Sequence, residues 1–445
     1  IRPSTSCTMA GLSAPKSTKS PGFASGKAAA KAWASRNLAI TDSSCPSAVT
    51  FNQANHLLGL ADPTSQGVWI AGTVDLGTDT QPVDAGRAAH AVARFLSEHE
   101  ALRARFRFDP QTCMPYADVF GPDQVQVTVE SRGDVGSDDL AILLGERCRS
   151  GDVPGVLFGL LDATLVVGFD HAHCDALTVD LALRRVRELY LDPDTQRSPG
   201  QRFFDRSELD GILSEKLAAA AGEHPRLPAW RRFFAANGNA IPTFPLPLGE
   251  IPASGAPQCT RVVELLDDDA AQALGRRAFA KILAQLAASI AEQGGPQTLS
   301  TVIPVHTRGR SSSPWHRTAG WLVTNAPVRV RAGDVGGAER ALKSALGLAS
   351  VPLDHVLRRC QPAMTTADIF MVSYLDYRRL GDPLPGARHI SNSTTTDSLQ
   401  MWFSRHHDGL DLRIRYPDTT TANATVDALV CSLSERLRRY TDTTT

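Results

Sequence analysis

The chain has 445 residues, a formal net charge of -1, 42% apolar residues and 21% charged residues. These values are ordinary for a globular protein of two or three domains, or of two large halves that share a cleft, and the balanced charge gives no reason to expect nucleic acid or an anionic membrane as a partner. The apolar run at 155–169 is broken by Asp162 and is too short for a membrane span, and the N-terminus lacks the apolar core of a signal peptide.

The N-terminal part of the chain begins with a polar segment and continues with mixed helix and strand patterns. Residues 1–31 are rich in Ser, Thr, Lys, Gly and Ala and predict a mobile or surface-draped arm before a first half at 32–205. Within that half, apolar spacing predicts helices at 88–105, 140–148 and 176–190 and strands at 124–130 and 163–169. The polar stretch 170–175 therefore lies in a turn between a buried strand and a helix.

The C-terminal part repeats this mixture. Residues 206–260, rich in Pro, Gly and Arg, predict a crossover linker to a second half at 261–445. There the patterns predict helices at 268–293, 338–349 and 426–440 and strands at 301–305, 325–331, 369–375, 399–404 and 410–416, with Asp408 and Gly409 in a hairpin turn. The predicted fold class is α/β, or mixed α+β.

The turn at 170–175 concentrates the residues that carry chemistry: Asp170, His171, His173, Cys174 and Asp175. A histidine with a near-neutral pKa can act as general base for a hydroxyl or amine that attacks a carbonyl, provided that its other ring nitrogen is held in place. We interpret His171 as such a base. Asp175 is close enough to organise the turn, directly or through an arginine.

Three alternatives compete with this interpretation. His171, His173 and Asp175 alternate by two and could share a metal ion, although no further ligand of known spacing accompanies them. Cys174 could be a nucleophile with a neighbouring histidine as its base. The segment could also be purely structural, with Asp170 or Asp175 as the N-cap of the following helix.

Several segments together resemble the condensation-domain superfamily of peptide synthetases, especially the polyketide-associated acyltransferases. The segment 170–176, Asp-His-Ala-His-Cys-Asp-Ala, is similar to the superfamily's His-His-x-x-x-Asp-Gly signature. In order along the chain, PSAVTFNQANHL (46–57), SEHEALRARF (97–106), AGWLVTNAPVRV (319–330) and FMVSYLDYR (370–378) resemble its other motifs, and Tyr416 to Asp418 resembles the turn before its closing helix. The resemblance spans about residues 46–440.

Two positions of the signature depart from the family pattern. Asp170 replaces the first histidine, whereas the second, which is the catalytic one in the family, is retained as His171. Ala176 replaces the glycine, which would cost about 1 kcal/mol if this position needed a left-handed backbone, but nothing at the start of a helix.

The resemblance implies a chloramphenicol-acetyltransferase-like fold: two such halves in a V-shaped pseudo-dimer, with His171 at their junction in a tunnel open on both faces. It implies that Asp175 pairs with an arginine of the other half, for which Arg308, Arg378 and Arg405 are the candidates. It also places Asp170, Ala176, Asn325, Ser373 and Trp402 along the substrate path.

The implied function is acyl transfer from a phosphopantetheine thioester, on an acyl or peptidyl carrier protein or coenzyme A, to a small or carrier-bound alcohol or amine. The alternatives are an amide-forming condensation enzyme of a peptide synthetase and a non-catalytic protein that binds a carrier protein. We expect no bound cofactor, no metal and a monomer. The 8 cysteines include no Cys-x-x-Cys pair, which is typical of reduced thiols and predicts a cytoplasmic protein.

Overall fold

The computed structural model describes residues 18–19, 30–38, 45–60, 67–77, 83–130, 137–149, 155–198, 200, 202–220 and 222–442. Most of the predicted arm at 1–31 lies outside the described residues. None of the described helices is long and apolar enough to cross a membrane.

The part of the chain before residue 192 alternates strands and helices. In chain order it contains β1 (Thr18–Lys19), β2 (Ala30–Leu38), β3 (Cys45–Ala48), α1 (Phe51–Leu60), β4 (Trp69–Asp75), α2 (Ala85–Glu98), β5 (Ala104–Phe108), β6 (Pro115–Val119), β7 (Val125–Glu130), α3 (Ser137–Arg147), β8 (Val156–Leu161), β9 (Thr164–Asp170) and α4 (Ala176–Leu191).

The rest of the chain has the same mixed character. It contains α5 (Phe203–Ala219), α6 (Leu227–Ala235), β10 (Ala256–Asp267), α7 (Asp268–Ala273), α8 (Ala278–Glu292), β11 (Thr298–His306), β12 (Val323–Arg331), α9 (Val335–Leu348), α10 (Leu353–Cys360), β13 (Met371–Asp376), β14 (Arg388–Ser391), β15 (Thr395–Thr396), β16 (Gln400–Arg405), β17 (Gly409–Pro417) and α11 (Thr420–Asp442). The predicted mixed fold class is confirmed.

Several predicted elements differ from the observed ones for identifiable reasons. The helix expected at 88–105 ends at Glu98, because His99 has an extended backbone (φ -128°, ψ 112°) and Glu100–Arg103 forms a separate 3-10 turn. The helix expected at 268–293 is interrupted at Gly275, whose φ of +60° breaks the helical path. The segment expected as a crossover linker contains α5 and α6.

Two large sheets form the frame of the molecule. One has the order β14-β4-β9-β8-β2-β7, and the other has the order β1-β10-β17-β16-β13-β11-β12 with β15 also paired to β10. The β14 strand comes from the second half of the chain but pairs antiparallel with β4, with Ile390 opposite Ala71. The halves of the chain are therefore joined by strand pairing as well as by their linker.

Each large sheet buries apolar side chains under helices. Side chains of α2 and α4 pack on one face of the first sheet, with Phe95, Val179 and Phe169 fully buried. Helices α8, α9 and α11 cover one face of the second sheet. The opposite face of the second sheet carries half-buried residues and meets the edge of the first sheet, as the hydrogen bond from Arg413 on β17 to Ser391 on β14 shows.

Candidate active site

The turn after β9 is fixed by two aspartate caps. Asp170 Oδ1 accepts a hydrogen bond from the Ala172 amide (2.8 Å), which closes a 3-10 turn over His171–His173. Asp175 Oδ1 accepts from the Thr178 amide (2.9 Å) and so caps the first turn of α4. Both aspartates therefore have the capping role that the structural alternative assigned to one of them. Ala176 is the first residue of α4 and is not among the described residues with positive φ, so alanine fits there without strain.

The His171 imidazole is held in a defined tautomer. Its Nδ1 lies 3.0 Å from the carbonyl oxygen of Cys174. Because a carbonyl oxygen only accepts hydrogen bonds, Nδ1 carries the proton and donates it, and the lone pair is on Nε2. Burial, reinforced by the nearby His56, lowers the pKa of His171 to about 4. The ring is therefore neutral at pH 7, with Nε2 able to accept a proton.

Two aromatic side chains surround this imidazole. The Trp321 ring stacks on His171 with centroids 3.9 Å apart and an interplanar angle of 27°. The His56 ring lies 6.2 Å from that of His171 and 6.0 Å from that of Trp321. Trp321 comes from the segment before β12 and His56 from α1, so parts of the chain far apart in sequence enclose the ring.

His56 is bound to the first aspartate of the signature. Its Nε2 donates to Asp170 Oδ1 at 3.0 Å, and Asp170 is fully buried. Burial alone would raise the pKa of Asp170, but the hydrogen bond and charge of His56 and the hydrogen bond from the Ala172 amide outweigh it and hold the pKa below its usual value. The Asp170 carboxylate is thus engaged by the His56 ring and the Ala172 amide.

Asp175 forms a bidentate ion pair with Arg308 of the second half. The Nη1–Oδ2 and Nη2–Oδ1 distances are 2.6 and 2.9 Å, and both side chains are only 4% exposed. Burial raises the pKa of Asp175, but the charge and hydrogen bonds of Arg308 outweigh it and lower the pKa. Of the three candidate arginines, Arg308 is therefore the partner, whereas Arg378 pairs with Asp376 and Arg405 with Asp268.

Further hydrogen bonds fix α1 against both sides of the junction. Asn52 Nδ2 donates to the Val323 carbonyl at 2.8 Å, and Gln53 Nε2 donates to the Ala172 carbonyl at 2.8 Å. Asn52, Gln53 and His56 all lie in the segment 46–57, which the sequence comparison singled out without assigning roles to these residues. This helix thus positions the turn that carries His171.

The remaining predicted substrate-path residues lie on the half-buried face of the second sheet. Asn325 on β12 is opposite Pro304, and Ser373 on β13 is opposite Trp402 on β16. All three predicted residues, Asn325, Ser373 and Trp402, are half-buried. The neighbouring Tyr374 points to the other face, where it stacks on Phe279 at 5.3 Å.

The metal and nucleophile alternatives gain no support from this geometry. His173 is buried, with Nδ1 2.9 Å from the Ala101 carbonyl and its ring against Phe106. Burial and the neighbouring aspartates raise the pKa of the Cys174 thiol well above its usual value, which disfavours the thiolate. In the part of the chain that the structure describes, no group of three or more His, Cys, Asp or Glu side chains is arranged to hold a metal ion.

Comparison with known proteins shows that the chain is similar to acyltransferases. No family model matches the chain. The acyltransferase PapA3 of Mycobacterium tuberculosis is 21% identical over 88% of this chain and 89% of its own length. The trehalose-2-sulfate acyltransferase PapA2 of Mycobacterium bovis is 22% identical over 89% of this chain and 90% of its own.

Solved structures show the same architecture. The PapA2 acyl transferase superposes with a TM-score of 0.78 at 18% identity and covers 94% of this chain and 98% of its own. The condensation domain of the Monacolin K polyketide synthase MokA gives a TM-score of 0.66 at 15% identity over 89% of this chain and 98% of its own. The chain thus has the fold of the condensation-domain superfamily and is similar along most of its length to acyltransferases.

Proposed function

We propose that this protein transfers an acyl group from a phosphopantetheine thioester to a hydroxyl or amine, with His171 as general base. The observation that carries the proposal is the hydrogen bond from His171 Nδ1 to the Cys174 carbonyl, because it leaves the lone pair on Nε2 at a turn between the two halves of the chain. The similarity to acyltransferases supports the same reaction class.

In the proposed reaction, His171 carries one proton from the acceptor to the leaving thiolate. Nε2 of His171 accepts the proton of the acceptor hydroxyl or amine as its oxygen or nitrogen attacks the thioester carbonyl. The tetrahedral intermediate then collapses, the C–S bond breaks, and the leaving thiolate takes the proton back from Nε2. Because the pKa of His171 is about 4, the ring is a weak base and accepts the proton only as the attack proceeds.

The donor and acceptor are proposed at different levels of detail. The donor is an acyl chain on a carrier protein or on coenzyme A, as in the condensation-domain reaction. The acceptor that we would test first is a sugar hydroxyl, because the PapA2 relative is named for trehalose 2-sulfate. The amide-forming and carrier-binding alternatives remain as outcomes of the test.

Thioester turnover tests the proposal directly. Acyl-coenzyme A and acyl-carrier-protein donors are offered with trehalose, trehalose 2-sulfate and a pool of amines, and thiol release and product mass are followed. We expect His171→Ala to lose at least about 100-fold in rate, while His407→Ala, at an exposed histidine, retains the wild-type rate. Equal rates for His171→Ala and wild type would refute the base assignment. A carrier protein that binds without turnover would favour the non-catalytic alternative.

A further inference from the structure

Arg413 lies on the face of the second sheet that meets the edge of the first sheet. In the strand register, Ser373 on β13 is opposite Trp402 on β16, and Trp402 is opposite Arg413 on β17. Directly paired residues point to the same face of a sheet. Arg413 therefore continues the row that contains two of the predicted substrate-path residues, and its guanidinium reaches β14, where Nη2 donates to Ser391 Oγ at 2.8 Å.

Among the described residues, the charge of this guanidinium has no counter-ion. Within the described residues, no carboxylate lies within 4.0 Å of Arg413, and its hydrogen-bond partner is a neutral hydroxyl. Burial is the main reason that the pKa of Arg413 is lowered; Tyr377 opposes this effect and Arg415 adds to it. By contrast Arg415, two residues along the same strand, pairs with Asp368 at 3.6 Å. Arg413 is half-buried, and a cation that is partly removed from water without an anion is disfavoured, which makes this position suited to a bound anion.

The surroundings of Arg413 are mostly polar and uncharged or cationic. The Tyr377 ring contacts those of His389 (5.2 Å) and His406 (4.7 Å). Burial, then the charge of Arg413, lowers the pKa of His389 to about 4, so that ring is neutral at pH 7. Tyr377 and His389 thus lie close enough to interact with the charge of Arg413, and the Ser391 hydroxyl is bound by its guanidinium.

Two carboxylates lie near this group without neutralising Arg413. Asp180 on α4 is bound by Arg184, with an Nε–Oδ2 distance of 2.8 Å. Asp411 Oδ2 lies 3.9 Å from His406 Nε2, and burial followed by the charges of Asp408 and Glu264 raises the pKa of Asp411 to about 6. An anion at Arg413 therefore does not have to displace an existing ion pair.

The separation from His171 fits a small acceptor. Ser391 is opposite Ile70 on β4, and Ile70 is opposite Phe169 on β9, two residues before His171. Two inter-strand spacings correspond to about 10 Å. This is the separation of the Ser391 and Phe169 backbones, and it is comparable to the length of a disaccharide, so one acceptor of that size can extend from the vicinity of Ser391 to the turn that carries His171.

We propose that Arg413 binds an oxyanion substituent, such as a sulfate ester, of the acceptor. This inference rests on the proposed function, because the ligand is an acceptor only if the protein transfers acyl groups. Anion binding at Arg413 can nevertheless be tested without acyl transfer. Arg413 would act as a specificity determinant that distinguishes an anionic acceptor from its neutral parent.

Calorimetric titration without any donor measures anion binding at Arg413 separately from acyl transfer. Wild type, Arg413→Met, Arg413→Lys and the matched control Arg415→Met are titrated with trehalose 2-sulfate, trehalose, inorganic sulfate and coenzyme A at constant ionic strength. We expect wild type to bind trehalose 2-sulfate at least about tenfold more tightly than trehalose, as for a hydrogen bond to a charged group. Arg413→Met should remove this preference, Arg413→Lys should restore part of it, and Arg415→Met should keep it. Thermal unfolding of each variant verifies that it is folded.

Three results would overturn the inference. The first is that Arg413→Met still prefers trehalose 2-sulfate over trehalose. The second is that wild type shows no such preference and does not bind inorganic sulfate. The third is that Arg413→Met loses affinity only for coenzyme A, which would assign Arg413 to the donor. If acyl transfer fails in every assay while the preference depends on Arg413, the anion site stands and the proposed function falls.

Discussion

Replacing Arg308 by leucine should expose how strongly the two halves depend on one buried ion pair. The guanidinium donates to both oxygens of Asp175, to the Thr318 and Gly320 carbonyls and to the Thr178 hydroxyl, at distances of 2.6–3.0 Å. Arg308→Leu leaves the Asp175 carboxylate buried without a cation. Breaking a buried pair in this way costs about 3–5 kcal/mol of the free energy of unfolding.

The chain offers a matched control in Arg378. Its guanidinium also makes two 2.9 Å hydrogen bonds to one carboxylate, that of Asp376, but its side chain is 35% exposed. Asp376 is itself buried, but it keeps Arg379 at 3.5 Å when Arg378 is replaced. Arg378→Leu therefore leaves no buried carboxylate without a cation and should cost much less than Arg308→Leu. Urea unfolding followed by circular dichroism measures both variants.

The pH dependence of Arg308→Leu provides a second check. In wild type the pKa of Asp175 is lowered, so its contribution to stability is lost as the pH falls below the usual carboxylate range. Without Arg308, burial raises the pKa of Asp175, so the folded variant takes up a proton before the unfolded chain does. The difference in unfolding free energy between wild type and Arg308→Leu should therefore become smaller as the pH falls from about 7 to 4. Equal losses for Arg308→Leu and Arg378→Leu, or a deficit independent of pH, would refute the reasoning.

Two further predictions concern buried rings. Trp321→Ala should let water reach His171, so that the pKa of His171 rises from about 4 toward 6.5. The acid limb of the kcat/KM profile should then move to higher pH. An NMR titration in which the pKa of His171 is still about 4 would contradict this prediction. Among the residues that the structure describes, neither buried ring nitrogen of His99 has a hydrogen-bond partner, and burial, helped by nearby arginines, lowers the pKa of His99 to about 3. The unfolded chain therefore binds the proton first, and stability falls below about pH 6.5. His99→Phe should be neutral or stabilising at pH 7. It should also reduce the slope of the unfolding free energy against pH, near pH 5, by about 1.4 kcal/mol per pH unit. His407→Phe, at an exposed histidine, is the control. A slope for His99→Phe equal to that of wild type or of His407→Phe would count against the prediction.

Local sequence patterns were sufficient to predict the strands and helices that bury one continuous apolar face. The strand β9 and the helix α4 appear within one or two residues of their predicted ends because apolar spacing marks them directly. Helix α5 was missed because Leu209, Ile212 and Leu213 are exposed in the structure, so its apolar residues do not outline a buried stripe. The β14 strand has four residues and its partner lies more than 300 positions earlier, which no local pattern can reveal.

The site shows the same division between local and distant contacts. The caps Asp170 and Asp175 and the position of His171 follow from a strand-to-helix turn within one segment. The choice of Arg308 required a contact across 133 residues, and the bond between His56 and Asp170 spans 114. His56 and Trp321 lie inside segments that resembled the family, but only folding brings their rings beside His171.

The position of β14 means that the two halves cannot be treated as independent folding units. A fragment that ends near residue 260 would lack β14 and leave the backbone groups of β4 unpaired along an open sheet edge, a template for association with other chains. Circular permutation or split-protein designs should therefore keep residues 388–391 together with the first sheet. The four residue pairs between β14 and β4 also tie the two halves of the chain at this edge, so separating the halves would break these pairs.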